Sequence, residues 1–301
     1  MSESMTHSLL DLHTHTTASD GIYAPAELMR LAHAAGLKRI GVVDHDSTNG
    51  LAEAIAAAEQ YDITVVPGVE INTDLPGHGG EVHVLGYYVE YKRPAFQQAL
   101  DTLRDARERR GERMVERLRE QGFDVSWERV RELAHGAVGR PHVAAALIER
   151  GYASNVSDAF DKFLSPGRPG YVPRYKLAPA DAVRLIKSAR GVPVLAHPLG
   201  IPAMESEVLP ELVIVGLQGL ECYYGQYSES DVTHLLDLAD TYRLVPTGGS
   251  DYHGPGMHPT PLGGRYVPME CAERLERLAT FNHQIPAPTF DLPSPNAESG
   301  D

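Results

Sequence analysis

Cysteine is nearly absent. Cys222 and Cys271 are the only two in 301 residues, too few for a disulfide framework, and a reducing cytoplasm is the expected home. No apolar run approaches the roughly 18 residues of a membrane span. Met1 to Ser8 has neither the basic start nor the apolar stretch of a secretory leader. Positive charge is scarce as well. Lys and Arg number 27 against 41 Asp and Glu, a formal net charge of −14, which works against broad grip on a nucleic-acid backbone. No membrane and no stable nucleic-acid partner are therefore expected. A small anion drawn into a locally positive pocket stays open. The chain also lacks a Gly-x-Gly-x-x-Gly turn or a Gly-Lys-Ser/Thr phosphate loop after its first strand, so nucleotide-cofactor folds lose ground. Trp and Phe are few, one and 6, whereas histidine reaches 14. Histidine is the commonest metal ligand and a frequent acid or base, so its placement decides the reading.

Hydrophobic residues make up 42% of the chain, enough for a sizeable core. Strand patterns fall at Leu9 to Leu12, Arg39 to Val43, Ile63 to Val69, Val82 to Val89, Val192 to Ala196, Leu217 to Cys222 and Leu244 to Thr247. Helical patterns separate most of them. Between the third and fourth, the Gly-rich loop Pro76 to Gly80 leaves no room for a helix. Repeated strand–helix units imply parallel strands with helices outside, in an open sheet or a closed barrel. From about Arg93 to Arg190 the chain is mostly helical, led by the long charged stretch Ala95 to Glu120. The expected organisation is a discontinuous α/β barrel over residues 8–94 and 177–285, a helical insertion or cap over 95–176, and a disordered tail over 286–301.

The polar residues favour the barrel. His13, His15, His45, Glu70, His197, Asp251 and His253 lie at or just past the carboxyl ends of strands, the rim where such barrels do chemistry. Residues two apart on a strand face the same way, so His13 and His15 can share one ion, and Asp251 and His253 repeat that spacing. Asp20 in a Ser-Asp-Gly loop and His83 complete a set of six histidines and three carboxylates. That mixture suits manganese, zinc or iron better than calcium or magnesium. A lone histidine at a strand end is ordinarily a hydrogen-bonded structural residue. Nine such residues over six strand ends are not nine accidents. They are too many for one ion, so two or three are implied. His7, His33, His78, His135, His234, His258 and His283 have no such placement and read as surface or packing residues.

The segments Asp11-Leu12-His13-Thr14-His15, Ser19-Asp20-Gly21, Val43-Asp44-His45-Asp46, Pro67-Gly68-Val69-Glu70-Ile71, Glu81-Val82-His83, Ala196-His197-Pro198 and Gly249-Ser250-Asp251-Tyr252-His253 resemble the PHP (polymerase and histidinol phosphatase) metallo-phosphoesterases. The resemblance implies a distorted seven-stranded, TIM-like barrel. It also implies one ion on His13, His15, Glu70 and Asp251, a second sharing Glu70 with His83 and His197, and a third on Asp20, His45 and His253. A hydroxide bridging the ions would be the nucleophile, and three divalent ions would leave the cup at about +2, attractive to phosphate. Manganese is the first expectation. Asp44 and Asp46, flanking His45, are candidates to hold ligand imidazoles in orientation, with solvated loop carboxylates as the alternative. Glu221 ends a strand but matches no ligand position, and reads as support.

Val138-Gly139-Arg140-Pro141-His142 and Gly167-Arg168-Pro169-Gly170-Tyr171-Val172-Pro173-Arg174 resemble the branch of bacterial 3',5'-nucleoside bisphosphate phosphatases and 5'-3' exoribonucleases. This implies that Arg140, Arg168 and Arg174 grip a second phosphate, that Tyr171 stacks on a base, and that His142 contacts phosphate or assists the leaving group. Helical arginines are ordinarily solvated, and Tyr171 between glycine and valine can equally pack. The expected reaction removes the 3'-phosphate of a 3',5'-bisphosphonucleotide. Short-RNA exonuclease, histidinol phosphatase and a non-catalytic module of the same family stay open. So does a metal-dependent amidohydrolase, although none of the five lysines, Lys38, Lys92, Lys162, Lys176 and Lys187, ends a metal-site strand.

Overall fold

A computed structural model describes residues 8–75, 80–134, 138–172 and 176–293. Its contacts divide the chain into two compact units, one comprising residues 1–98 with 177–293 and the other residues 99–176. The first contains a single seven-stranded sheet: β1 (Leu10–Thr14), β2 (Arg39–Val42), β3 (Thr64–Leu75), β4 (Gly80–Tyr87), β5 (Val192–Leu195), β6 (Gly219–Tyr224) and β7 (Val245–Gly249), in sequence order. It is a nearly closed α/β barrel. Just past β7, Tyr252 accepts from His15 N–H at 2.9 Å and donates to the His13 carbonyl at 3.3 Å, joining the last strand's exit to β1.

All pairings are parallel except those of β4, which runs antiparallel to both β3 and β5. The parallel expectation fails here for a geometric reason. A parallel crossover needs about a dozen residues or more, and Leu75 pairs directly with Gly80 at the end of an eight-pair ladder. Only a reversal fits. The hairpin extends β3 well beyond the sequence estimate, to Leu75. The loop residues Pro76 to Gly79 lie outside the described residues, as do Arg174 and residues 294–301 of the expected tail. Residues 286–293 carry no regular element.

Leu10, Leu12, Val66, Leu85, Tyr87, Val192 and Val194 form a core with Cys271, Ala272 and Leu275 of the last helix, Met269–Gln284. Leu28, Met29 and Ala32 of helix Pro25–Ala34 and Leu51 and Ala54 of helix Leu51–Ala58 cover Ile40 and Val42 of β2. Both cysteines are buried and free. One element had no sequence signal: a π-helical turn, Met204–Val208, leads into helix Leu209–Ile214. Pro210 reads as a breaker, but it occupies the first turn, where its missing N–H has no intrahelical partner to lose.

The second unit has its own core, in which Met114 and Leu118 of the long helix Pro94–Glu120 meet Val143 and Leu147 of helix Arg140–Glu149 together with Phe163 and Leu164. Within the helical block, an α-turn, Val156–Ala159, is followed by a π-helical turn, Phe160–Leu164.

Gly249 marks how closely the barrel ends approach. A Cβ there would fall 2.4 Å from the His13 backbone nitrogen and 2.7 Å from Asp11 Oδ1. Gly249→Ala should therefore lower stability by about 1–3 kcal/mol, read by urea denaturation. A loss below about 0.5 kcal/mol, the size of an ordinary surface change, would show that the strands separate there without strain.

Candidate metal centre

Side chains alternate along a strand, and this sets Leu10 and Leu12 into the core while Asp11, His13 and His15 turn to the other face. Asp11 never reaches the cup. Its buried carboxylate accepts from Ser250 N–H and Oγ–H at 3.0 and 2.6 Å and from Gly263 N–H at 2.9 Å. Those bonds tie the Ser250 to His253 segment to β1. Burial raises the Asp11 pKa, a pull these bonds oppose.

Glu70, from the middle of β3, sits at the centre of the rim. Its carboxylate lies within 3.4 Å of five imidazoles. Oε2 is 3.3 Å from His13 Nε2, 3.3 Å from His15 Nε2 and 3.0 Å from His45 Nδ1. Oε1 is 3.0 Å from His83 Nδ1 and 3.4 Å from His197 Nε2. Asp251 Oδ1 stands 3.3 Å from His13 Nε2 and 3.2 Å from His15 Nε2. Asp20 lies 3.3 Å from His253 Nε2, 3.7 Å from His45 Nε2 and 3.9 Å from His15 Nδ1. All nine of the residues singled out in the sequence thus meet in one cup. Donor groups that fit an ion include His13, His15, Glu70 and Asp251, and also His15, Asp20, His45 and His253. His45 also groups with Glu70 and His83, and Asp251 and His253 group with His258, so His15, His45, Glu70, Asp251 and His253 each stand between two groups.

The donors fit divalent ions. Four ligands about 2.0–2.2 Å from a tetrahedral ion stand about 3.3–3.6 Å apart, close to the 3.2–3.3 Å between the imidazole nitrogens and carboxylate oxygens of the first group. Both ring nitrogens of His15, Nδ1 of His45 and Nε2 of His83 are buried without a hydrogen bond. Buried polar atoms are nearly always paired, so orphaned nitrogens converging with carboxylates are what a cation site offers.

Two imidazoles are fixed from behind. His13 Nδ1–H donates to Glu221 Oε1 at 3.0 Å, which turns the Nε2 lone pair into the cup. His253 Nδ1–H donates to the Asp251 carbonyl at 2.9 Å, leaving Nε2 toward Asp20. Glu221 is fully buried, and its Oε2 also accepts His197 N–H at 2.7 Å. One carboxylate therefore anchors two ligand-bearing strand ends. Asp44 and Asp46 are buried rather than solvated. Asp44 reaches loop groups and not an imidazole, accepting from Thr16 N–H and Oγ1–H, both at 2.7 Å, and Ser19 Oγ–H at 2.6 Å. Asp46 accepts from Asn72 N–H at 3.1 Å and Nδ2–H at 3.2 Å. Asp46, His197 and Asp251 all hold positive φ, at 50°, 26° and 56°, strain of the kind that collects at functional sites.

His258 was read in the sequence as a surface or packing residue because it lies at no strand end. Its ring stacks on His253 at 4.6 Å and 15°, with Nδ1 3.6 Å from Asp251 Oδ2. Burial lowers its pKa. Tyr224 was also missed, and its hydroxyl donates to Asp251 Oδ2 at 2.9 Å.

The cap residues sit in the second unit. Arg140 opens helix Arg140–Glu149 with its guanidinium 5.3 Å from the Phe160 ring. His142 Nδ1 accepts Gly139 N–H at 2.9 Å, capping that helix. Tyr171 lies under Arg110 at 5.9 Å, and Arg168 N–H donates to the Ser165 carbonyl at 3.0 Å. Arg140 and Tyr171 thus have different ring and cation partners.

The PHP domain model matches residues 11–124. Over 271 residues the chain is 33% identical to a 3',5'-nucleoside bisphosphate phosphatase of Chromobacterium violaceum, covering 86% of this chain and 90% of that protein. The chain belongs to the PHP family of metal-dependent phosphoesterases. A second PHP relative, a 5'-3' exoribonuclease of Salmonella typhimurium, is 34% identical over 257 residues, covering 82% of this chain and 86% of the relative. The solved structure of a Bifidobacterium adolescentis protein assigned as a metal-dependent phosphoesterase superposes with a TM-score of 0.75 at 32% identity, over 89% of this chain and 96% of that one. No helix among the described residues is long and apolar enough to cross a membrane.

Burial disfavours a charged imidazole, yet Asp251 and Glu70 raise His15 to about 10, and Glu70 and Glu81 raise His83 to about 9. Burial likewise opposes the charge on Glu70, but His45, His13 and His83 outweigh it and hold its pKa well below the usual carboxylate range. At neutral pH His15 and His83 therefore carry protons that a cation must displace, whereas burial lowers His45 to about 3 and leaves it neutral. Apparent metal affinity of chelated protein should therefore rise as pH goes from 6 to 9, with proton release seen by calorimetry in two buffers. A flat profile would contradict the assignment. Glu221→Ala should weaken metal binding about 10–100-fold, measured by competition with a chromophoric chelator; wild-type affinity would mean that His13 orients itself unaided.

Proposed function

We propose that the chain is a phosphatase that removes the 3'-phosphate from 3',5'-bisphosphonucleotides. The observation that carries this reading is the nine-donor cup centred on Glu70. Its identity to a relative named for that reaction supports the choice of substrate. His13, His15, Glu70 and Asp251 would hold one divalent ion, Glu70, His83 and His197 a second, and Asp20, His45 and His253 a third. Such ions lower the pKa of bound water and neutralise phosphoryl oxygens, an effect worth several kcal/mol. The chain's own part is to fix the donors: Glu221 sets the His13 tautomer, the Asp251 carbonyl sets that of His253, and Asp11 and Asp44 lock the loops that carry them. Manganese is our assignment, with zinc and iron as alternatives, because imidazole and carboxylate share the donor set. Buried free thiols suit a reducing cytoplasm. The partner is then a small nucleotide rather than a membrane or a long nucleic acid.

Hydrolysis of short RNA from the 5' end is a second reading, favoured by the Salmonella relative. The net charge of −14 counts against holding a long polyanion. Phosphate release or chain shortening should be measured with adenosine 3',5'-bisphosphate, 5'-AMP, 3'-AMP, histidinol phosphate and a 5'-phosphorylated oligoribonucleotide. Adenosine 3',5'-bisphosphate is expected to give the highest kcat/KM. Preference for the oligoribonucleotide would favour the second reading, and preference for histidinol phosphate would overturn both.

A further inference from the structure

His258 is not needed by the three ligand sets above, although its donor atom also falls within reach of Asp251 and His253, two of their members. Its ring lies flat on His253, and its Nδ1 faces the Asp251 oxygen that also takes the Tyr224 hydroxyl. Nε2 has no partner among the described residues. The His258 side chain is 31% exposed, whereas those of His13 and His15 are fully buried. The inner imidazoles are enclosed by carboxylates, and His258 is the ring that faces outward beside them.

Apolar residues border the turn that carries it. Ile22 N–H donates to the His253 carbonyl at 2.9 Å, and its side chain packs against Gly254, where a Cβ would fall 2.4 Å from Ile22 Cγ1. Gly254 holds a φ of 136°, a conformation that side chains rarely adopt. Met257 belongs to the same turn, donating its N–H to the Gly254 carbonyl at 3.3 Å. Ile22 and Met257 are each half exposed, and only eight large apolar side chains are exposed among the described residues. Two of those eight therefore belong to, or pack on, the turn that carries His258. A phosphoryl group has no use for them, but the organic part of its ester does.

We infer that His258 is a substrate-contacting residue that, flanked by Ile22 and Met257, receives the nucleoside portion of the ester. The ring offers a flat face for a base and Nε2 a hydrogen bond for a sugar hydroxyl, while Ile22 and Met257 exclude water from the apolar edge. This inference rests on the phosphoester reading above. It makes His258 a determinant of which alcohol is released and gives it no share in holding the ions.

The test uses the full-length, manganese-loaded protein and its His258→Ala, His258→Gln and Met257→Ser variants. Each is assayed on adenosine 3',5'-bisphosphate and on glycerol phosphate, with metal content determined by elemental analysis and 5'-AMP affinity by calorimetry. His258→Ala should raise KM for the nucleotide about 10-fold and weaken 5'-AMP similarly, the size expected for one lost stacking contact. The change on glycerol phosphate should be smaller, and metal content should match wild type. His258→Gln, which keeps a nitrogen but not the ring, should fall between. Met257→Ser should raise the nucleotide KM without loss of metal, so the inference stays testable if a His258 variant folds poorly. Loss of an ion in His258→Ala would make it a ligand and overturn the inference. Equal losses on both substrates, or wild-type KM and 5'-AMP affinity, would overturn it as well. If the wild-type protein cleaves nucleotides normally and only these contrasts are missing, the phosphoester reading survives. If it cleaves no phosphate ester at all, both fall.

Discussion

A single buried carboxylate organises the rim of this barrel. Glu70 touches imidazoles contributed by β1, the loop after β2, β4 and the loop after β5. Stripped of water, such a charge is tolerated only when opposite charges surround it. His13, His15 and His83 do so, and Glu70 in turn helps to raise their pKa values. Removing it would leave several buried imidazoles in mutual repulsion, so the rim is a collective arrangement rather than a collection of separate contacts. Bound cations would divide that same field among themselves.

Behind this layer lies another whose work is positional. Asp11, Asp44 and Glu221 are buried, but they point at backbone N–H groups, hydroxyls and the back of an imidazole. Asp11 links strands at opposite ends of the chain, and Glu221 links His13 to the turn carrying His197. Preorganisation of this kind keeps donors in place despite the unfavourable φ values at Asp46, His197 and Asp251.

Much of this was legible in the sequence because it depends on periodicities. The two-residue period put His13 and His15 together, and the βα rhythm put strand ends on one rim. The reversal of β4 was written in the short connection before it, though its consequence for direction was not drawn. What could not be read depends on loop conformation. His258 joins the site through a turn that brings it flat against His253, and no spacing rule encodes that. Asp44 and Asp46 flank His45 equally in sequence, but their targets are set by where Thr16 and Asn72 arrive. Helix Leu209–Ile214 is short and carries Pro210 in its first turn, and no periodic pattern marked it.

The reversed strand has one more consequence. Most donors sit where parallel strands end, but His83 arrives from the interior of β4, held opposite Asn72 by the ladder with β3. Its place is therefore a matter of pairing alignment. A shift by one residue would turn it to the far side of the sheet, and a shift by two would carry it about 7 Å along the strand. A molecule that zipped this hairpin incorrectly could still collapse and bury its core, yet it would reach Glu70 with one arm short. Stoichiometric loading thus doubles as a proofreading mark for the hairpin, separating correctly aligned molecules from compact impostors.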